Sequence, residues 1–416
     1  VCDVLAYVYR ITKYDPADRN EQGHYIGAED SVSDHGPVEA AYLQAVAAFA
    51  ESTGVDRVAI REPGLAPGFV HFGVEPAVAG HGLAGLFPPN LAGFHDGAEV
   101  PVGTAVELVR AMLRDSGAFC SLEVEGRFFV HIGWDQYMYI GSSEPCEDAV
   151  ARTCALGLFP ERLPASPYEQ AFDEPGEQRP ADADFWARLR VSVADRVAAL
   201  LEENHLLNVS RWHRLTTGDL DAVRAALAPR ARLTVWPDLS DDVAAALATF
   251  PDDGIAEFVW EQRDGRIVSA VADDTQFAEL AARLTGDARA VAVLPVTEDD
   301  RHPLFTAVMP DPDGVLRARW RTTPAASDRD WAFLKRLRRG QSITGTVVAI
   351  ATFGVTFVDI GGFTAMINIP ELSWRRVEDP SEVVTVGQRV TAEILGIDMA
   401  RDRVFLSLRA LQAPDR

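Results

Sequence analysis

Hydrophobic and polar positions alternate along this chain at two periods, and the changes of period mark its elements. LAYVYRI reads as a strand, and a polar loop follows it. PVEAAYLQAVAAFAES then carries apolar residues at helical spacing, with Pro37 near its N-terminus. VDRVAIRE and FVHFGVE predict short strands, and AVELVRAMLRDSG predicts a helix. SLEVEGRFFVHIGWDQYMYIG predicts a hairpin about Glu125-Gly126 with a further strand, before a helix from Cys146 to Leu158. PERLPASPYEQAFDEPGEQRPADAD is Pro-rich and acidic and reads as a linker or long surface loop.

The second region opens on WARLRVSVADRVAALLEENH, which predicts one long amphipathic helix. RLTVWPD predicts a strand between two shorter helices. FVWEQRDGRIVSAV and LFTAVMPDPDGVLRARW each predict a hairpin, on Asp264-Gly265 and Asp313-Gly314, and FAELAARL and AVAVLPV supply a helix and a strand between them. The tail then offers five short strands, ITGTVVAIAT, TFVDIGG, TAMINIP, RVTAEILGID and RVFLSLRAL, with WRRVEDPSEVVTVG between the third and fourth. That pattern fits a small five-stranded OB barrel. The expected fold is multidomain α+β: two acidic α+β regions with mostly antiparallel sheets, residues 1–160 and 184–325, joined by a linker at 161–183 and followed by the barrel at 335–412.

Charge separates the tail from the rest. The 416 residues carry a net −23. Residues 331–416 hold 11 basic and 9 acidic side chains, a net +2, which leaves 28 basic and 53 acidic on the other 330 residues, a net −25. Such a body repels phosphate at long range and attracts basic partners. No apolar run approaches the ~18 residues of a membrane span, so no membrane partner is expected. VCDVLAYVYR lacks the basic start and apolar core of a signal peptide, which makes the cytoplasm the expected compartment. Cys2, Cys120, Cys146 and Cys154 form no CxxC pair and read as buried thiols.

Candidate chemistry in the body is sparse. HExxH, a Gly-rich phosphate loop and GxSxG do not occur, so no catalytic residue, metal site or cofactor is expected and an enzyme is the less favoured reading. His71, His81 and His95 lie 10 and 14 residues apart, which matches no ligand pattern. SDHGPVE sets Ser33, Asp34, His35 and Glu39 at a helix start, where capping is the expected role rather than hydrolysis. Trp134, Tyr137 and Tyr139 read as sheet core. SRWHRL, residues 210–215, is the one basic-aromatic cluster of the body and reads as an interhelical corner or an anion contact.

Gly345 through Leu411 resembles the S1-type RNA-binding domain. The landmarks FG…FVDIGG, ELSW, DPSEVVTVGQRV, ILGID and DRVFLSL stand in that family's order. The resemblance implies binding of single-stranded RNA on the barrel face, where unstacked bases lie on rings and cations take phosphates. By position it implies that Phe353 and Phe357 stack bases and that Arg403 makes a basic contact. Lys335, Arg336, Arg338 and Arg339 before the first strand, and Arg375 and Arg376 after the third, would add phosphate contacts. This chain has one residue more than the family between the two phenylalanines, and a bulge would return both rings to one face. Asn368 stands where the family often has histidine, and Pro370 where a small hydroxyl residue is common. The two rings would serve equally as barrel core, and KRLRRG equally as a solvated helix end.

The expected function is a non-catalytic cytoplasmic protein whose barrel contacts single-stranded RNA or the ribosome while the acidic body binds a partner. The alternative is an immunity-type inhibitor whose acidic body neutralises a basic partner such as a toxin nuclease. A lesser alternative is an RNA-processing enzyme guided by the barrel.

Overall fold

The structure, a computed structural model, describes residues 5–21, 26–27, 36–65, 81–114, 116–133, 137–166, 177–207, 209–250, 255–295, 301–322, 333–334, 337–351, 354–398 and 403–412. The strand expected at FVHFGVE lies outside them, as do Cys2, Ser33, Asp34, His35, His71 and Trp134. The chain is mixed α+β and divides into two compact units, Val1–Phe94 with Ala98–Ala171 and Leu337–Arg416, and His95–Gly97 with Phe172–Arg336.

The first unit contains a seven-stranded antiparallel sheet. Its elements are β1 (Tyr7–Thr12), α1 (Pro37–Ser52), β2 (Arg57–Leu65), β3 (Glu99–Pro101), α2 (Val102–Leu113), β4 (Ala118–Val124), β5 (Phe128–Ile132), β6 (Met138–Ser142), α3 (Glu147–Ala155) and β7 (Phe159–Leu163), with strand order β3-β2-β4-β5-β6-β1-β7. The β4–β5 hairpin turns at Gly126, whose φ of 65° suits glycine. Tyr139 is core, as expected of an aromatic on this segment, and Tyr137 instead lies under the Arg10 guanidinium, 5.3 Å from its ring centre. α1 starts at Pro37 without a side-chain cap. Glu39 is buried there and bonded by Arg110 of α2 and by Arg114, the residue that caps the C-terminus of α2, with Arg114 Nε 2.6 Å from its carboxylate. Cys120 and Cys146 are buried, but Cys154 is exposed on the outer side of α3, against the expectation. Among the described residues, no three His, Cys, Asp or Glu converge as metal ligands.

The second unit holds two antiparallel sheets, and here the predicted elements shift. α4 spans only Ala183–Ala194, and LLEENHL becomes a strand, β8 (Leu200–Leu206). The helix ends where Arg196 turns left-handed at φ 57° and Ala198 N–H returns to the Ser192 carbonyl. SRWHRL is likewise a strand, β9 (Val209–Arg214), and not an interhelical corner. α5 (Leu220–Ala226) and β10 (Arg232–Trp236) follow, then α6 (Val243–Leu247), the hairpin β11 (Ile255–Gln262) and β12 (Ile267–Asp273), α7 (Asp274–Asp287), β13 (Ala288–Pro295) and β14 (Phe305–Val308). The sheets run β14-β10-β8-β9 and β12-β11-β13. The Asp264-Gly265 hairpin forms as expected. The Asp313-Gly314 hairpin does not, because β14 pairs with β10 on one side and with Arg179–Ala181 on the other, so its edges are filled before Val315. The turn itself survives, closed by Asp311 N–H donating to the Val315 carbonyl at 3.0 Å, by Gly314 N–H donating to the Asp311 carbonyl at 2.8 Å, and by Arg317 on Asp311 and Asp313.

Also in the first unit, β15 (Ser342–Ile350), β16 (Val355–Asp359), β17 (Thr364–Asn368), β18 (Arg389–Asp398) and β19 (Arg403–Ser407) close into a barrel in the order β15-β16-β17-β19-β18. Every pairing is antiparallel except β17 with β19. Val347, Val358, Ala365, Ile367, Ala392, Ile394, Val404 and Leu406 fill its interior. Among the described residues no helix is long and apolar enough to cross a membrane.

Candidate nucleic-acid interface

Strand alternation decides which barrel residues face outward. On β16, Thr356 and Val358 are buried, so Val355, Phe357 and Asp359 point away from the core. On β17, Ala365 and Ile367 are inside, so Thr364, Met366 and Asn368 are outside. On β19, Val404 and Leu406 leave Phe405 outside. Register then lines up three of these side chains. Phe357 pairs with Met366, and Met366 pairs with Phe405. The result is a row of two rings and a thioether across three adjacent strands, each side chain half-buried.

Local sequence fixes this face. Gly354 closes the β15–β16 turn at φ 88°, where a Cβ would stand 2.6 Å from Ile369 Cδ1. Gly345 lets β15 approach β16, since a Cβ there would collide with the Asp359 carbonyl oxygen. Between β16 and β17, the Asp359 carboxylate accepts from Gly361 and Gly362 N–H at 2.9 and 2.7 Å. Those two backbone bonds hold its carboxyl below the usual aspartate range. A bulge does occur, but on β15, where the register shifts between Val347 and Ala349.

The residues singled out from sequence are placed as follows. Phe357 lies in the row, and Asn368 is exposed two positions beyond Met366. Arg403 shares the face of Phe405 but is only 5% exposed, its guanidinium 5.7 Å from that ring's centre. Arg338 and Arg339 are exposed just before β15, and Arg375 and Arg376 are exposed after the short 3-10 turn that follows β17. Phe353, Lys335 and Arg336 lie outside the described residues. Sequence reasoning missed Met366 and Phe405. The signal was present in TAMIN and RVFLS, where each sits between two apolar residues that must face the core.

A closed five-stranded barrel with an aromatic outer row is an OB-type module suited to unpaired nucleotides. Residues 336–409 match the S1 RNA binding domain family, and this part of the chain is an S1 domain. Over 80 residues, 19% of the chain, it is 49% identical to small ribosomal subunit protein bS1 of Mycolicibacterium smegmatis and 44% identical to bS1 of Neisseria meningitidis. The match spans 16% and 14% of the length of those relatives. Among solved structures, GSP13 from Bacillus subtilis is similar at 28% identity, covering 20% of this chain and 62% of that one with a TM-score of 0.18.

Proposed function

We propose that this protein binds single-stranded RNA on the outer face of its C-terminal barrel, with Phe357 and Phe405 stacking bases, Met366 packing between them, and Asn368 and Arg403 bordering the row. The observation that carries this reading is the register that sets Phe357, Met366 and Phe405 side by side on the outside of the barrel. Rings in such a row accept any base, because every base has a π-face, and a polar border adds hydrogen bonds without demanding one sequence. Arg338, Arg339, Arg375 and Arg376, with Lys335 and Arg336 of KRLRRG, supply phosphate contacts, and Phe353 adds a ring. The relatives are small ribosomal subunit proteins, which supports the ribosome and its RNA in the cytoplasm as the source of the strand.

The acidic remainder, net −25 over 330 residues, supports a second role as a docking surface for a basic protein. In that arrangement the barrel brings the captured partner to RNA. Recovery of the intact protein from cells with and without nuclease treatment separates the two roles. A basic protein retained after nuclease supports the second, and its absence removes it.

The first reading is tested by fluorescence anisotropy of the full chain on a labelled oligouridine. Phe357→Ala is expected to weaken binding by ~1–3 kcal/mol, the value of one base on one ring. Thermal unfolding should be little changed, because the ring lies outside the barrel core. Equal affinity of the variant and the parent would remove Phe357 from the interface.

A further inference from the structure

Trp374 is 48% exposed, although an indole on a small barrel would ordinarily be covered. It is nevertheless held in one orientation. Its Nε1–H donates to the Gln412 carbonyl at 3.4 Å, and the Gln412 side-chain amide donates to Leu372 O at 3.0 Å. The Arg409 guanidinium lies 4.8 Å from the ring centre and is itself fixed by Glu371 at 2.6 Å. The guanidinium therefore occupies the ring neighbourhood as a preset cation, and the rest of the ring remains open.

Topology sets this ring at the barrel end that the strands of the stacking row lead to. β17 and β19 are parallel neighbours, so both leave the barrel at the same end. The chain past β17 forms the 3-10 turn Ile369–Glu371 and reaches Trp374. The chain past β19 forms the 3-10 turn Arg409–Leu411 and supplies Arg409 and Gln412. Leu408 N–H bonds Glu371 O at 2.9 Å and ties the two turns together. Asn368 lies ~7 Å along the strand from Met366, and it is exposed on the way to this end. Arg375 and Arg376 follow the ring directly. Both are exposed, and neither has a carboxylate partner among the described residues. The acidic residues just beyond are partly committed: Glu382 Oε1 accepts from Glu378 and Asp379 N–H, and Asp379 accepts from Ser381 N–H.

We propose that Trp374, backed by Arg409 and flanked by Arg375 and Arg376, is a second base-stacking subsite, which takes a nucleotide of the same single strand after it has crossed the Phe357–Met366–Phe405 row and passed Asn368. The inference rests on the RNA-binding reading above. Its chemistry is a base on the open indole surface, the Arg409 guanidinium adding cation–π attraction, and the backbone phosphates on the two following arginines. A protein partner would need a broader apolar patch around the tryptophan, and among the described residues near it only Leu411 is large, apolar and exposed.

The test uses the full chain and oligouridines of increasing length. Trp374→Ala is expected to weaken long oligomers about tenfold and leave the shortest bound oligomer unchanged, since the latter fills only the row. Trp374→Phe should restore part of the loss, and it also serves if the alanine variant proves unstable. Phe357→Ala should weaken every length. Trp374 variants that bind all lengths as the parent does, while Phe357→Ala weakens them, would overturn the second subsite and leave the row intact. Loss on Phe357→Ala and Trp374→Ala alike for the shortest oligomer would overturn the ordered path, because both rings would then serve one nucleotide site. RNA binding indifferent to both substitutions would remove both assignments. A protein captured by the parent and lost from Trp374→Ala, with RNA affinity unchanged, would reassign the ring to protein contact.

Discussion

Two buried side chains of the first unit make its stability depend on pH in the same direction through opposite chemistry. Burial pulls the His131 imidazole down to about 4, where it stacks on Phe129 and Tyr139 at 5.3 and 5.4 Å between ring centres. Folding therefore favours its neutral form. The stabilisation is complete above the ordinary histidine value of 6.5 and is lost as pH falls from there through about 4. Burial alone would raise the Glu39 carboxyl, but the bonds from Arg114 and Arg110 outweigh it and hold the group below the usual 4.5. Its contribution is present above that value and is lost as pH falls through the folded one. His131→Phe keeps a ring and removes the titration. Its stability relative to the parent should rise by on the order of 3 kcal/mol between pH 7 and pH 4, read from hydrogen exchange of the β4–β6 amides. A parent whose exchange rates, corrected for intrinsic chemistry, stay level across that window would refute the account. At this scale the sequence was legible where a residue's side is decided by its two neighbours, as for Phe357. It was not legible where a partner from elsewhere decides, as for Glu39 under two arginines at the end of another helix or Arg403 laid along Phe405.

Between residues and the whole lie the elements, and here buried polar side chains explain the misreadings. LEENHLL looked helical because Glu202, Glu203, Asn204 and His205 interrupt any strand alternation of apolar residues. In the structure Glu202 and Glu203 are both buried on opposite faces of β8. Glu203 accepts from His213 at 2.8 Å and from Ala228 N–H at 2.6 Å. Glu202 accepts from Ser210, Trp236 Nε1 and Arg301, at 2.9, 3.1 and 3.2 Å, and Arg301 also reaches Glu257 of β11 at 3.4 Å. One guanidinium thus joins β8 to β11, elements of two different sheets. Removing it leaves the buried Glu257 carboxylate without this cation and Glu202 with Arg232 as its nearby charge. Arg301→Leu should therefore destabilise the second unit by on the order of 3–5 kcal/mol, measured as a shift in its urea transition. A change below ~1 kcal/mol would mean that water reaches the carboxylates and that the ion triad is not what joins the strands. The barrel posed no such difficulty, because its inward positions are almost all aliphatic and its turns are marked by Gly354, Gly361, Gly362 and Gly387, all at positive φ.

For the whole molecule, net charge sets the conditions under which the barrel can meet RNA. The chain carries −23, concentrated outside the tail, and RNA is itself a polyanion. Approach is opposed at long range, while the exposed arginines of the barrel attract only at short range. Salt acts differently on these two terms. Raising ionic strength from about 0.01 to 0.1 M shortens the screening length from roughly 30 to 10 Å, which removes the distant repulsion first. The association rate constant with an oligouridine should therefore rise over that interval, whereas it falls for a basic nucleic-acid-binding protein. The dissociation rate should rise as well, because the phosphate contacts weaken. Each phosphate contact adds about −0.7 to the slope of log affinity against log salt for a single strand, so the two to four exposed arginines set a shallow dependence. Stopped-flow measurements of the intact protein read both rates, and an association rate that falls steeply with salt would show that the acidic residues do not act on the incoming strand. If the rate rises as expected, affinity depends chiefly on rings and unpaired bases rather than on phosphate charge. Duplex RNA offers the same phosphates but keeps its bases stacked inside. The charge balance of the chain would then select against it, with no contact specific to the single strand beyond the aromatic row and the Trp374 ring.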